Sequence, residues 1–367
     1  MLGVCCWDLE GPISVLDFAA EIGRLLNKKK DLNLHHYNMG EFFSMISHYD
    51  DYLVDVLGVK EKLHITDYQP GDTLRLMAPL YVASFSEKEL NSLAKQNFGL
   101  LPGCQELMEV LHKDWNIFII STSYNQFAYN VAATLKIPRD HVYCTNFNIQ
   151  KLKENLPNIK NEVDILVREI FQKYLDNNKD LHSIIEDLNE FFWKSDYSDY
   201  IKVMNQIKVR GGKRKEFAVE DISKRTKVPI KDMIALGDSI TDIHMLQRLN
   251  SEGGAAISFN GNRFSVNYAN IAITTPNNMG VLPIFQFSNN LQEFLDDWEF
   301  NFKYFKKNPK KIPNGLISEE CKKYFIKHNF VPEIFNLTNK SKYQLDEIIS
   351  RQVQMRKLIR GWVGKLE

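Results

Sequence analysis

The chain has 367 residues, 44% of them hydrophobic and 12% aromatic, enough apolar material for one large or two ordinary globular domains and too much for a disordered chain. Lys plus Arg and Asp plus Glu each number 46, so net charge supplies no global pull towards nucleic acid or an anionic membrane, and any such binding has to be local. The five cysteines (Cys5, Cys6, Cys104, Cys144 and Cys321) form no C-x-x-C pair, no basic segment leads a long apolar one, and no run reaches spanning length, so a soluble protein of the reducing cytoplasm is expected, without a disulfide framework or zinc site.

Gly3-Val-Cys-Cys-Trp7 is a short uncharged run that stops at Asp8. Its length suits a buried strand with Asp8 at the carboxyl end, followed by Glu10, Gly11 and Pro12 on a tight turn. Cys5 and Cys6 read as small apolar strand residues, with a reactive thiol beside Asp8 as the alternative. Ile13, Leu16, Ala19 or Ala20, Ile22 and Leu26 then follow helical spacing, and Pro12 suits a helix opening. From about 32 to 101 no strand-to-helix alternation is visible, and the segment reads as a mostly helical insertion, a cap. Within it, Tyr49-Asp50-Asp51-Tyr52 either contacts substrate or, since four adjacent helical residues face different ways, forms a solvated surface with one or two core tyrosines.

Leu101-Pro-Gly103 marks a boundary. A helix over 104–112 leads into a strand at Asn116–Ile120, which runs into Ser121-Thr-Ser123, and a helix over 124–135 follows. The segment from about 145 to 209, rich in Lys, Glu, Asp and Asn, predicts two or three further helices; whether it joins the cap or forms a lobe of its own stays open. Val209-Arg-Gly-Gly212 resumes the sheet domain. Lys215 stands at a helix start, where a positive charge is disfavoured by about 0.3–1 kcal/mol, and it reads either as functional or as a solvated lysine. Met233–Leu236 is a strand ending in Gly237-Asp238-Ser239, and Asp242 begins the next helix. Ala255–Phe259 and Ile271–Thr274 bring the expected sheet to about five strands. Beyond Phe285 the sequence is helical and lysine-rich up to the run Met355–Lys365, which reads as a solvated charged face or as a helix that docks on a membrane surface or a partner.

The expected architecture is an α/β fold: a Rossmann-like three-layer α/β/α core of residues 1–15, 102–145 and 210–285, a helical cap over 16–101, a second helical insertion over 146–209, and a basic helical extension over 286–367. Strand ends of an open parallel sheet converge on one crevice, so Asp8, Ser121 and Asp238 are expected to meet there. Asp8, Asp238 and Asp242, with few nitrogen or sulfur ligands nearby, suit a hard cation, above all Mg²⁺, and Mg²⁺ suggests phosphate. A carboxylate can attack a phosphoryl group, a lysine and a hydroxyl can neutralise its oxygens, and the second carboxylate, Glu10, can protonate a leaving group and then activate water.

These residues are similar to the four motifs of the haloacid dehalogenase-like superfamily, in order: Asp8-Leu-Glu10, Ser121 after a hydrophobic strand, Lys215 at a helix start, and Gly237-Asp-Ser-Ile-Thr-Asp242. The spacing of the last two resembles the phosphoserine phosphatase branch. The resemblance implies Asp8 as nucleophile, Glu10 as acid/base with its backbone carbonyl on the metal, Ser121 and Lys215 as phosphoryl-binding groups with Lys213 as fallback, and Asp238 and Asp242 on Mg²⁺. It also implies a mobile cap at the position of the first insertion. Typical phosphatases of the superfamily carry Asp where Glu10 stands.

More narrowly, Asp8-Leu-Glu-Gly-Pro-Ile-Ser14, the Tyr49–Tyr52 cluster, Gly71-Asp-Thr-Leu74, Ser121-Thr-Ser-Tyr124, Gly211-Gly-Lys-Arg-Lys215 and Met355–Gly361 resemble archaeal proteins called energy-converting hydrogenase A subunit R. No iron–sulfur or nickel ligand pattern accompanies that likeness. The expected function is a Mg²⁺-dependent phosphatase for a small phosphorylated metabolite, with no nucleic-acid partner. The alternatives are a weakly active regulatory or assembly protein docked peripherally on a membrane hydrogenase-type complex, and a phosphotransferase or mutase.

Overall fold

The computed structural model describes residues 2–361 apart from 31, 97–98, 155–157 and 195–197. Seven strands form one sheet in the order β3-β2-β1-β4-β5-β6-β7. They are β1 (Gly3–Trp7), β2 (Trp115–Tyr124), β3 (Val142–Thr145), β4 (Met233–Gly237), β5 (Ala255–Phe259), β6 (Ile271–Thr274) and β7 (Glu333–Asn336). All neighbours pair in parallel except β6 and β7. The five expected strands are present. The two additional ones are short edge strands, and β7 comes from the extension expected to be helical.

Side chains alternate across the sheet. Cys5, Trp7, Ile117, Ile119, Ile234 and Leu236 enter the larger apolar core on one face, and Val4, Cys6, Phe118, Ile120, Met233 and Ala235 enter a second core on the other. Burial of both faces explains why β1 and β4 read as continuous apolar runs.

The helices that position the site are α1 (Phe18–Arg24), α2 (Met39–Asp55), α3 (Thr73–Ser84), α4 (Asn125–Thr134), α5 (Lys213–Thr226), α6 (Ile243–Glu252), α7 (Leu291–Lys307) and α8 (Lys342–Arg360). Helix α1 starts later than the spacing predicts. Residues 9–17 form a turn held by Gly11 N–H to Ser14 O (2.7 Å) and Leu101 N–H to Ile13 O (2.9 Å), and Asp17 caps the helix by accepting from Ala20 N–H at 2.8 Å. Pro12 therefore belongs to the turn.

The two insertions share one body. Tyr49 Oη donates to Asn189 Oδ1 (2.7 Å), Trp193 Nε1 donates to Tyr49 Oη (2.8 Å), and Tyr200 Oη donates to Leu76 O (2.6 Å). The second insertion thus packs onto the cap helices α2 and α3. The cap is tied to the core where α5 begins: Arg214 bonds the buried Asp72 (2.8 Å) and Asp67 O (2.8 Å), and Lys213 N–H donates to Gln69 Oε1 (3.0 Å). Among the described residues no helix is long and apolar enough to cross a membrane. The end of the basic run, Trp362–Lys365, lies outside the described residues.

Candidate functional site

The chain runs outward from β1 to β2 and β3 on one side and from β4 to β5 and β6 on the other. The order reverses between β1 and β4, where an open α/β sheet leaves a crevice beyond its carboxyl ends. Register fills that crevice. Trp7 pairs with Ile119 and with Leu236, so Asp8 leaves the sheet beside Gly237 and Ile120, just ahead of Asp238 and Ser121. Its N–H donates to Leu236 O at 2.9 Å, which fixes the backbone at the point where polarity changes.

Lys215 closes the cluster. It is fully buried on the third residue of α5, and its Nζ lies 2.9 Å from Asp8 Oδ1 and 2.6 Å from Asp242 Oδ1. Lys213 is exposed, so Lys215, and not Lys213, joins the carboxylates, and it is not a solvated lysine. Asp242 Oδ2 accepts the N–H groups of Asp238 (2.9 Å) and Ser239 (3.1 Å), binding the fourth motif into one rigid loop. Gly237 is required there: a Cβ on it would lie 2.5 Å from Asp242 Cβ. Oxygens of Asp8, Asp238 and Asp242 lie within 4.8 Å of one another. Three buried carboxylates that close, with an oxygen-only donor set, fit a hard divalent cation such as Mg²⁺.

Burial first, then the Asp242 carboxylate, push Asp8 well above the ordinary carboxylate range, against the pull of Lys215. Burial opposes the charge on Lys215, but Asp242 and Asp8 hold it above the usual lysine value. The ammonium is therefore a permanent charge of the site.

Glu10 sits apart from the three-aspartate cluster but lines the same cleft as Asp8. Its Oε1 accepts Phe18 N–H (2.8 Å) at the start of α1. Burial and the nearby Asp17 raise it well above its usual value, which favours the protonated form that a general acid needs. Ser121 is fully buried, and its Oγ accepts Ser123 N–H at 3.0 Å. Thr122, the next residue, reaches the cleft wall. Cys5 and Cys6 are buried strand residues; burial pushes the Cys5 thiol up to about 12, which removes the reactive-thiol alternative for it.

The cap supplies the opposite wall of the cleft through Ser47, Asp50, Asp51 and Thr73. The Tyr49–Tyr52 segment is thus more than a solvated surface. Tyr49 is core, and Asp50 accepts from Tyr68 Oη (2.6 Å) and Gly71 N–H (2.9 Å). Burial lifts Asp50 to about 7 despite the Tyr68 hydroxyl. A carboxyl raised on folding holds its proton longer in the native state, so its contribution is present at low pH and lost as pH rises through about 7. Wild-type stability is expected to fall relative to Asp50→Asn between pH 4 and 7, by up to about 1.4 kcal/mol per pH unit, as measured by urea unfolding. Parallel pH profiles would refute the assignment.

Two residues were given no part in the site by the sequence alone. Arg356 and Arg360, on the basic run expected to face solvent or to dock on a membrane surface or a partner, are 3% and 9% exposed. Both pair with Asp238 Oδ2, Arg360 at 3.1 Å, and Arg360 also lines the cleft. The only signal was the one-turn spacing of Ile348, Gln352, Arg356 and Arg360, which puts polar residues on the stripe where a packed helix normally carries apolar ones.

The whole chain superposes on the gene product AF1437 from Archaeoglobus fulgidus with a TM-score of 0.73 and 22% identity, covering 100% of this chain and 99% of that one. A substrate-bound phosphoserine phosphatase complex aligns with a TM-score of 0.47 and 12% identity over 77% of this chain and 97% of that one. No curated protein sequence matches. Residues 102–285, half of the chain, match the family model described as haloacid dehalogenase-like hydrolase, and the chain belongs to that family.

Proposed function

We propose that this protein is a Mg²⁺-dependent phosphomonoester hydrolase that works through an aspartyl-phosphate at Asp8. The observation that carries the reading is the buried Lys215 ammonium held between Asp8 (2.9 Å) and Asp242 (2.6 Å) at the switch point of the sheet. A fixed cation beside a nucleophilic carboxylate neutralises the phosphoryl oxygens it receives, and a buried ion pair is by itself a weak source of stability. Mg²⁺, held by Asp8, Asp238 and Asp242 with the Glu10 carbonyl as a further donor, would supply charge neutralisation for the phosphoryl oxygens.

The chain's own residues do the rest. An Asp8 oxygen attacks phosphorus, the bond to the ester oxygen breaks, and the leaving alkoxide takes its proton from Glu10. Lys215 and Ser121 hold the phosphoryl oxygens throughout. Glu10, now a carboxylate, removes a proton from the attacking water; the Asp8–phosphorus link breaks, returning Asp8 as a carboxylate and releasing inorganic phosphate. The cleft between cap and core leaves about 70 Å³, room for a phosphoryl group or a few waters. A metabolite's leaving group therefore enters only when the cap lifts, and closure excludes bulk water from the acyl phosphate.

The test is phosphate release from a broad panel of phosphomonoesters, with Mg²⁺ present or chelated. Metal-dependent release supports the hydrolase. A phosphorylated acceptor in place of free phosphate would make it a phosphotransferase, and no turnover of any ester, with recovery of a membrane-complex subunit in a pull-down, would favour a docking role.

A further inference from the structure

Helix α8 lays a polar stripe of Gln352, Arg356 and Arg360, one turn apart, against the loops that follow β4 and β5, and all three side chains are buried. Gln352 anchors it. Its Oε1 accepts from Ser258 Oγ (2.8 Å) and Gly261 N–H (2.6 Å), and its Nε2 donates to Ser258 O (3.0 Å). This buried network sits one turn before Arg356, so the arginines are a fixed part of the site.

Both guanidinium groups converge on one carboxylate. Arg356 Nη1 donates to Asp238 Oδ2 and, at 3.3 Å, to Asp238 O; Arg360 Nη1 donates to the same Oδ2 at 3.1 Å, while its Nε reaches Val15 O at 3.4 Å. Gly11 presses from another side: with φ +119°, it leaves a space in which a Cβ would fall 2.0 Å from that same Oδ2. Asp17 also faces the two arginines. Lys215 already balances Asp8 and Asp242, so Asp238 is the carboxylate of the cluster that the arginines neutralise.

We propose that Arg356 and Arg360 are positioning residues that act through Asp238 as built-in counter-ions, weakening divalent-metal binding so that the C-terminal helix sets the metal concentration at which the site fills. The proposal rests on the metal-binding reading of the three-aspartate cluster. A guanidinium does not surrender its proton in a protein, so a cation recruited by Asp238 shares that carboxylate with two permanent positive charges. Their mutual repulsion is screened far less at a site under a tenth exposed than it would be at the surface. The same charges stabilise the metal-free protein, because they spare it an unpaired buried carboxylate.

Mn²⁺ binding to the full-length chain, followed by the electron paramagnetic resonance signal of the free ion and by thermal unfolding, tests this without reference to turnover. Arg360→Ala is expected to bind Mn²⁺ about tenfold more tightly than wild type, and Arg356→Ala/Arg360→Ala more tightly still. Arg356→Lys keeps the charge but loses the fork and should lie between wild type and Arg360→Ala. The metal-free double variant should melt earlier, and Mn²⁺ should raise its Tm by more than it raises the wild-type Tm. A merely structural role would lower Tm without tightening the metal. Unchanged or weaker Mn²⁺ binding in both Arg360→Ala and Arg356→Lys overturns the proposal, and these milder variants keep it testable if the double variant does not fold. Asp238→Asn separates the two levels: weaker binding there with unmoved arginine variants defeats the arginine proposal alone, whereas binding unaffected by Asp238→Asn defeats the metal site itself.

Discussion

Asp8→Asn is expected to lower phosphate release by about 1000-fold or more while leaving the fold as stable as wild type or more so. The substitution is isosteric, and the amide oxygen still accepts the Leu9 N–H that Asp8 Oδ1 holds at 2.7 Å. What disappears is a negative charge that burial and Asp242 already disfavour, so the native state loses repulsion along with its nucleophile. Activity lost and stability kept is a signature that unfolding cannot imitate. The measurements are the phosphate-release rate and Tm on the same preparation. A variant that retains a tenth of the wild-type rate would remove Asp8 from the chemistry.

Lys215→Ala should have the opposite profile, costing both stability and activity. Among the described residues the ammonium pairs with both Asp8 and Asp242, which are nearly or fully buried. Breaking such a pair from one side strands the other charge and typically costs about 3–5 kcal/mol. Urea unfolding should show that loss near neutral pH. The deficit should shrink on acidification, because burial raises Asp8 above the ordinary carboxylate range, and protonating it restores stability as pH falls and removes it as pH rises. Lys213 offers no rescue, being exposed two residues earlier. A loss below about 1 kcal/mol would show that Lys215 acts as an ordinary surface charge.

What the sequence disclosed, and what it concealed, follows from the range of the interactions. Asp8, Ser121 and Asp238 were legible because each ends an apolar run, and in a parallel sheet every such end falls on the same rim. Lys215 was legible as an anomaly, a cation near a helix start whose other spaced residues are apolar. The turn over residues 9–17 was not, because Pro12 satisfies a helix opening locally while Asp17 wins it through a side-chain cap. Strand β7 is only four residues long within a lysine-rich segment, and its pairing with β6 is set by the sheet rather than by local pattern. Arg356 and Arg360 were concealed most thoroughly. A basic helical run ordinarily stays in water, and the carboxylate that draws these two inward lies more than a hundred residues earlier in the chain.

The covalent step can be observed directly. Full-length protein turning over a phosphomonoester with Mg²⁺, quenched and treated with borohydride, converts an aspartyl-phosphate to homoserine, which peptide mass spectrometry locates. Homoserine at position 8, dependent on both substrate and metal and missing from Asp8→Asn, is the predicted result. Steady phosphate release with position 8 unmodified, or the modification at another carboxylate, would contradict Asp8 as the nucleophile.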